Sequence, residues 1–192
     1  MIGELVLYDL EFTAWEGSLA RGWSHPGEHR EIVQIGAVRL DGRTLEETAA
    51  LDLIVRPRIN PVLSDYFVGL TGITNEEVAA RGQDFAPAYE EFLAFVGTAP
   101  TGCFGRDDRV LMENLALYEL QALARPPEAF NVKAWLVERG IKLDGIHSGM
   151  VAQQLGIAFT GRLHNALDDA RALAAAVRHF ALRGDPPAQT PG

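Results

Sequence analysis

Residues 5–15, LVLYDLEFTAW, form an apolar run into which two acids, Asp9 and Glu11, are set two positions apart. Strand side chains alternate between faces, so residues two apart lie side by side, and this segment predicts a strand with both carboxylates on one face. Two like charges held together in a half-buried strand lose hydration and repel each other unless something positive lies between them. The segment alone admits two arrangements. It is either an edge strand whose polar face is wet, or an interior strand whose acids share a divalent cation.

The rest of the chain limits the context. At 192 residues it is long enough to fill one core, and no linker divides it, so residues 1–183 are expected to form a single domain. Apolar content of 47% and charged content of 22% fit a globular chain and argue against disorder or a fibrous class. The N-terminus lacks a basic n-region, its apolar run is broken at Asp9, and no stretch of eighteen apolar residues occurs. A cytoplasmic location away from membranes is therefore expected, and the single cysteine, Cys103, fits a reducing compartment as a buried apolar residue. A net charge of −9 gives no long-range attraction for nucleic acid, so any phosphate contact must be local.

EIVQIGAVRL (31–40) and ETAALDLIVRP (47–57) continue the strand pattern, with Asp41-Gly42 as a turn between them, which predicts three early strands paired antiparallel. The intervening glycine-rich segment, 16–30, reads as a surface loop. From Thr74 the period changes. TNEE supplies a capping box and Gly82 a stop, and residues 85–97, 107–124, 130–140, 146–156 and 162–180 carry apolar residues at helical spacing. A short strand is expected around 101–105, and the proline-rich tail, 184–192, is expected to be disordered.

Two further acidic sites stand out. In FGRDDRVLMENL, Asp107 and Asp108 fall where a strand end meets a helix start; one of them can cap the helix while the other points into a cleft. In RLHNALDDARALAAAVRHF, Asp169 projects onto the stripe of Leu173, Ala176 and Phe180, whereas Asp168 lies with Ala172, Ala175 and His179. An acid on the packed side of an alanine-rich helix calls for a partner or a metal. His164 opens the same segment; His25, His29, His147 and His179 read as structural.

In their order and spacing, DLE (9–11), GRDD (105–108) and HNALDDA (164–170) resemble the DEDDh family of 3′ to 5′ exonucleases. EIVQIGAV (31–38), VRPRINPVLSDYFVGLTGIT (55–74) and GMVAQQLGIAFTGRLHNALDDA (149–170) are similar to its Eri-1-type RNA exonuclease branch. The resemblance implies an α/β chain with the ribonuclease H-like fold, a mixed five-stranded sheet flanked by helices. It also implies metal-binding acids at Asp9, Glu11, Asp108 and Asp169 and a general base at His164. Asp108 is preferred over Asp107 because the branch often has glycine three residues before the acid, matching Gly105. Phe104 stands where tryptophan is frequent, and Trp15 where a cysteine often follows the first acids.

Such chemistry implies two divalent cations, Mg²⁺ or Mn²⁺, since phosphodiester hydrolysis needs charge neutralised on phosphate oxygens and carboxylates suit these ions. The implied partners are 3′ ends of single-stranded RNA or DNA, or short oligonucleotides, with RNA favoured by the branch. A pocket for a free 3′ end needs apolar contact with the last base, for which Leu10, Phe12 and Trp15 are candidates, core packing being the alternative for Phe12 and Trp15. Residues 63–73 are expected to line or support the cleft. A module that keeps the fold without turnover is the other class of function left open.

Overall fold

A computed structural model describes residues 3–185. Of the expected tail, residues 186–192 lie outside the described residues. The strands β1 (Glu4–Phe12), β2 (Ile32–Asp41), β3 (Glu47–Ile54), β4 (Thr101–Cys103) and β5 (Ala129–Asn131) form one sheet in the order β3-β2-β1-β4-β5. The first three pair antiparallel, while β4 runs parallel to β1 and β5 parallel to β4. The sheet is thus mixed, as expected. Eight helices accompany it among the described residues: α1 (Ser18–Arg21), α2 (Asp65–Thr71), α3 (Asn75–Arg81), α4 (Phe85–Val96), α5 (Asp107–Leu117), α6 (Val132–Glu138), α7 (Val151–Gln154) and α8 (Ala166–Ala181). A 3-10 turn, Ser148–Met150, precedes α7.

β1 lies in the middle of the sheet, with β2 on one side and β4 on the other. Its even residues, Val6, Tyr8 and Leu10, pack with Phe85, Tyr89 and Phe92 of α4 and Val110, Leu111 and Leu115 of α5. Its odd residues, Leu5 and Leu7, pack with Leu136 of α6 and Leu173, Ala176 and Val177 of α8. Burial on both faces accounts for the near-continuous apolar run and eliminates the wet edge strand. Asp9 and Glu11 extend the α8 face toward the carboxyl end of the strand.

The sequence pattern misjudged several boundaries. The segment 107–124 stays helical only to Leu117, because Glu119 takes φ +59 and Leu120 N–H turns back to the Leu115 carbonyl. At 130–140 the helical spacing concealed β5, and the helix begins only at Val132, capped by the Asn131 side chain. The loop 16–30 contains the single turn α1. β3 ends at Ile54, after which Val55 bridges to Gln83.

The polar contacts of four side chains fix elements around the site. Glu31, fully buried at the start of β2, accepts from the Arg58, Ile59 and Asn60 amides at 2.7, 2.7 and 2.6 Å and from the Tyr118 hydroxyl at 2.6 Å. Asn114 of α5 accepts from Ile32 N–H at 3.0 Å and donates to the Arg30 carbonyl at 2.8 Å. On the other face, Gln34 Oε1 accepts from Ala166 N–H at 2.9 Å, while Asn165 caps α8 through Asp168 N–H at 3.2 Å.

Gly36 completes this last contact. It pairs with Asp9 across the sheet, and a Cβ there would lie 2.1 Å from both the Ala166 carbonyl carbon and the Leu167 nitrogen. The start of α8 thus occupies the space that any other residue would need for a side chain. Gly36→Ala is expected to push α8 off the sheet and cost about 3 kcal/mol, a fall in melting temperature of roughly 6–12 °C for a chain this size. Thermal unfolding followed by circular dichroism checks this, and an unchanged melting temperature would show that α8 tolerates displacement.

Candidate active site

A cleft of about 480 Å³ opens at the carboxyl ends of β1 and β4, where the sheet changes from antiparallel to parallel pairing. Open α/β sheets commonly form such crevices at a point where strand order reverses. Asp9, Glu11, Asp107, Asp169 and His164 all line it. The first two come from adjacent same-face positions of β1, and Asp107 from the first turn of α5 directly after β4. Asp169 comes from the first turn of α8, held over Asp9 by the close approach at Gly36. Its Oδ2 accepts from the Ser148 hydroxyl at 3.0 Å. A Cβ on Gly149 would stand 2.2 Å from its Oδ1, so this turn must carry a glycine to let the carboxylate in.

The middle acid differs from the expectation. Asp107, not Asp108, faces the cleft, and its Oδ2 is buried with no hydrogen-bond partner among the described residues. Asp108 turns aside and binds the Arg106 guanidinium through two bonds, at 3.0 and 2.9 Å, which holds its carboxyl below the usual range. The reason lies in which face of α5 is buried. Asp107 shares its face of α5 with the buried Val110, Leu111 and Asn114 at spacings of three, four and seven, and Asp108 falls beside the exposed Met112. The sequence period alone does not choose between them, since Leu111, Met112 and Leu115 stand three, four and seven residues after Asp108; the burial of Asn114 against the start of β2 decides which acid faces the cleft.

The electrostatics are severe. Burial, followed by the charges of Asp107, Asp169 and Glu11, pushes the Asp9 carboxyl well above the usual carboxylate range. Burial and its neighbours Asp169 and Asp107 lift Glu11 to about 8. Burial, then Asp108, lifts Asp107 to about 8, and burial lifts Asp169 to about 6. Buried acids whose affinity for protons is raised in this way want either protons or cations. The unpartnered oxygens Asp107 Oδ2 and Asp169 Oδ1, together with an all-oxygen carboxylate donor set, fit hard divalent ions. One ligand atom each from Glu11, His164 and Asp169 also lies within 4.8 Å of the other two.

His164 sits immediately before the Asn165 cap of α8 in the left-handed region, φ +57, a conformation costly for a non-glycine residue and imposed by the helix start beside it. Burial and the neighbouring His147, whose ring centroid is 5.2 Å away, lower its pKa. Of the apolar candidates, Leu10 is 4% exposed and belongs chiefly to the core beneath the cleft. Phe12 lies edge-on to Trp23 at 5.5 Å and Trp15 stands half-buried in the wall. From the 63–73 segment, Tyr66 and Leu70 of α2 reach the cleft, as expected. Ser148, His147, Phe104 and Lys133 also line it; none of the four was singled out as a site residue from the sequence.

Residues 6–177 match the family described as Exonuclease, RNase_T, and the chain belongs to that family. Among curated proteins, the 3′-5′ exoribonuclease 1 of Mus musculus is 27% identical over 183 residues, covering 88% of this chain and 50% of the relative. The ERI1 exoribonuclease 2 of Xenopus laevis is 26% identical over 200 residues, covering 87% and 27%. The chain therefore spans half or less of these relatives. Among solved structures, the nuclease domain of 3′hExo, a DEDDh family member bound to rAMP, superposes with a TM-score of 0.74 at 24% identity, covering 95% of this chain and 94% of that one. Exonuclease I of E. coli in complex with a dT13 oligonucleotide superposes with a TM-score of 0.66 at 18% identity, covering 95% and 41%. These neighbours share the ribonuclease H-like fold that the sequence resemblance implied. Among the described residues, no helix is long and apolar enough to cross a membrane.

Carboxylates raised in the folded state stabilise it by holding protons. For Glu11 and Asp107 that contribution is complete below about pH 4 and lost as pH rises through about 8. A divalent cation supplies the missing positive charge in their ionised state. The rise in melting temperature on exchanging chelator for Mg²⁺ is thus expected to grow between pH 6 and 8. A pH-independent rise would place the cation elsewhere.

Proposed function

We propose that this chain is a 3′ to 5′ exoribonuclease that hydrolyses phosphodiester bonds at the 3′ ends of single-stranded RNA. The observation that carries the reading is the convergence of Asp9, Glu11, Asp107, Asp169 and His164 on one cleft beside half-buried apolar walls. The preference for RNA is supported by the names of the curated relatives, both exoribonucleases.

In this reading, Asp9, Glu11, Asp107 and Asp169 hold two divalent cations, Mg²⁺ or Mn²⁺. When bound, such ions neutralise charge on the phosphate oxygens and on the departing 3′ oxygen. His164, kept neutral near pH 7 by its lowered pKa, accepts the proton of the attacking water. Asp107 takes the role that spacing had suggested for Asp108, whose pairing with Arg106 leaves it outside the cleft. Trp15 and Phe12, on the wall beside the acids, offer apolar surface to the terminal base, with Leu10 as the floor beneath them.

Digestion of 5′-labelled single-stranded RNA and DNA of equal sequence, with Mg²⁺, Mn²⁺ or chelator, tests this. A metal-dependent ladder shortening from the 3′ end is expected. His164→Ala should slow it by about 10²–10⁴-fold. Asp107→Asn should abolish it, whereas Asp108→Asn should stay within about fivefold of wild type, the most a partly exposed ion pair is worth. The reverse order of the two aspartate variants would restore Asp108 as the ligand. Absence of cleavage in every metal would favour a binding module on the same fold.

One observation supports a narrower substrate. Among the described residues lining the cleft, Lys133 is the one lysine or arginine, so few phosphates can be held. Comparable rates on two-residue and twenty-residue RNA would identify short oligonucleotides as the substrate.

A further inference from the structure

The cleft does not end at its own walls. Trp23 lines it and also a neighbouring hollow of about 300 Å³, bordered by His29, Arg30 and Leu117. Leu117 in turn borders a third hollow, of about 220 Å³, together with Arg58 and Tyr118. Along this line guanidinium groups lie over aromatic rings. The Arg30 Cζ is 5.8 and 5.6 Å from the ring centroids of Phe12 and Trp23, and the Arg58 Cζ is 5.4 Å from that of Tyr118. The two arginines are neighbours, because Glu31, the residue after Arg30, accepts from both Arg58 N–H and the Tyr118 hydroxyl. Arg30 is also near enough to the acids of the cleft for its charge to oppose the raised proton affinity of Asp107. We propose that the hollows from Trp23 to Tyr118 form a binding track for single-stranded RNA upstream of the 3′ end, with Arg30 and Arg58 as stacking platforms for its bases.

A guanidinium held over an aromatic ring can present its other face to a nucleobase, and unpaired RNA bases stack on arginine planes as well as on rings. Arg58 is exposed and pairs with no carboxylate among the described residues, so its charge is free to meet the RNA backbone. Of the acids beside the track, Glu28 and Glu113 are engaged by Arg21 and Arg30, and Glu119 is not. The attraction therefore comes chiefly from stacking, which tolerates any base sequence. The track deepens the exonuclease reading and rests on it for the direction of the strand. It opposes the short-oligonucleotide alternative. The cleft itself offers one cation, Lys133, and the track supplies the hold on a longer chain that the cleft lacks.

Steady-state rates on two-residue and twenty-residue single-stranded RNA in Mg²⁺ test this, read as the ratio of kcat/KM for the longer substrate to that for the shorter. The wild type is expected to favour the longer RNA by about tenfold or more. Arg58→Ala is expected to cut that ratio about tenfold, the weight of one stacked base. Arg58→Lys should restore only part of it, since an ammonium keeps the charge but not the plane. A general loss of structure would slow both substrates alike and leave the ratio standing. Equal rates on the two lengths in the wild type, an unchanged ratio in Arg58→Ala with its fold intact by circular dichroism, or full recovery in Arg58→Lys would overturn the proposal. Binding of a 5′-fluorescein twenty-residue RNA is followed in parallel by anisotropy in chelator, where Arg58→Ala is expected to raise Kd about tenfold. If no RNA is cleaved in any metal, the exonuclease reading fails, while the anisotropy still decides the track.

Discussion

The arrangement of this chain depends on one close approach, the seating of the first turn of α8 against Gly36 of β2. With no side chain at that position, the helix backbone reaches the sheet surface, and Gln34 accepts from the buried first-turn N–H of Ala166. The placement of Asp169 and His164 follows from this contact. It brings Asp169 opposite Asp9, the cross-strand partner of Gly36, and it sets His164 on the turn that leads into the helix. On the opposite face, Asn114 and Glu31 tie α5 and the 58–60 segment to the start of β2, which fixes where Asp107 points.

The cleft is built against its own electrostatics. Four carboxylates from three separate elements are held where burial first, and neighbouring carboxylates second, raise the affinity of each for protons. A core selected for stability alone would replace such groups with apolar ones. What the arrangement gains is a high density of unpartnered oxygens aimed at one volume, which suits cations and, through them, a polyanionic chain. With a net charge of −9 and Lys133 the one lysine or arginine among the described residues lining it, the cleft has no basic field of its own.

The unusual backbone conformation of His164 and its partial burial keep the ring near the acids, where the proposed reading gives a neutral imidazole the role of base.

Much of this was legible in the sequence. The apolar run around Asp9 and Glu11 determined a strand with paired carboxylates, the early strand pattern determined the antiparallel meander, and the helical projection of residues 162–180 determined that Asp169 is buried. These are local periodicities, and a period of two or of 3.6 is set by backbone geometry whatever the rest of the chain does. The site itself was not local. Whether β1 lay at an edge or in the centre, where α5 began its first turn relative to β4, and that Ser148 and Gly149 would cradle Asp169 were decided only when distant segments packed. The choice between Asp107 and Asp108 shows the division most sharply. In the sequence both acids head apolar stripes, Val110 and Leu111 after Asp107 and Leu111, Met112 and Leu115 after Asp108, and which face of that helix is buried against β2 depended on contacts from residues more than eighty positions away.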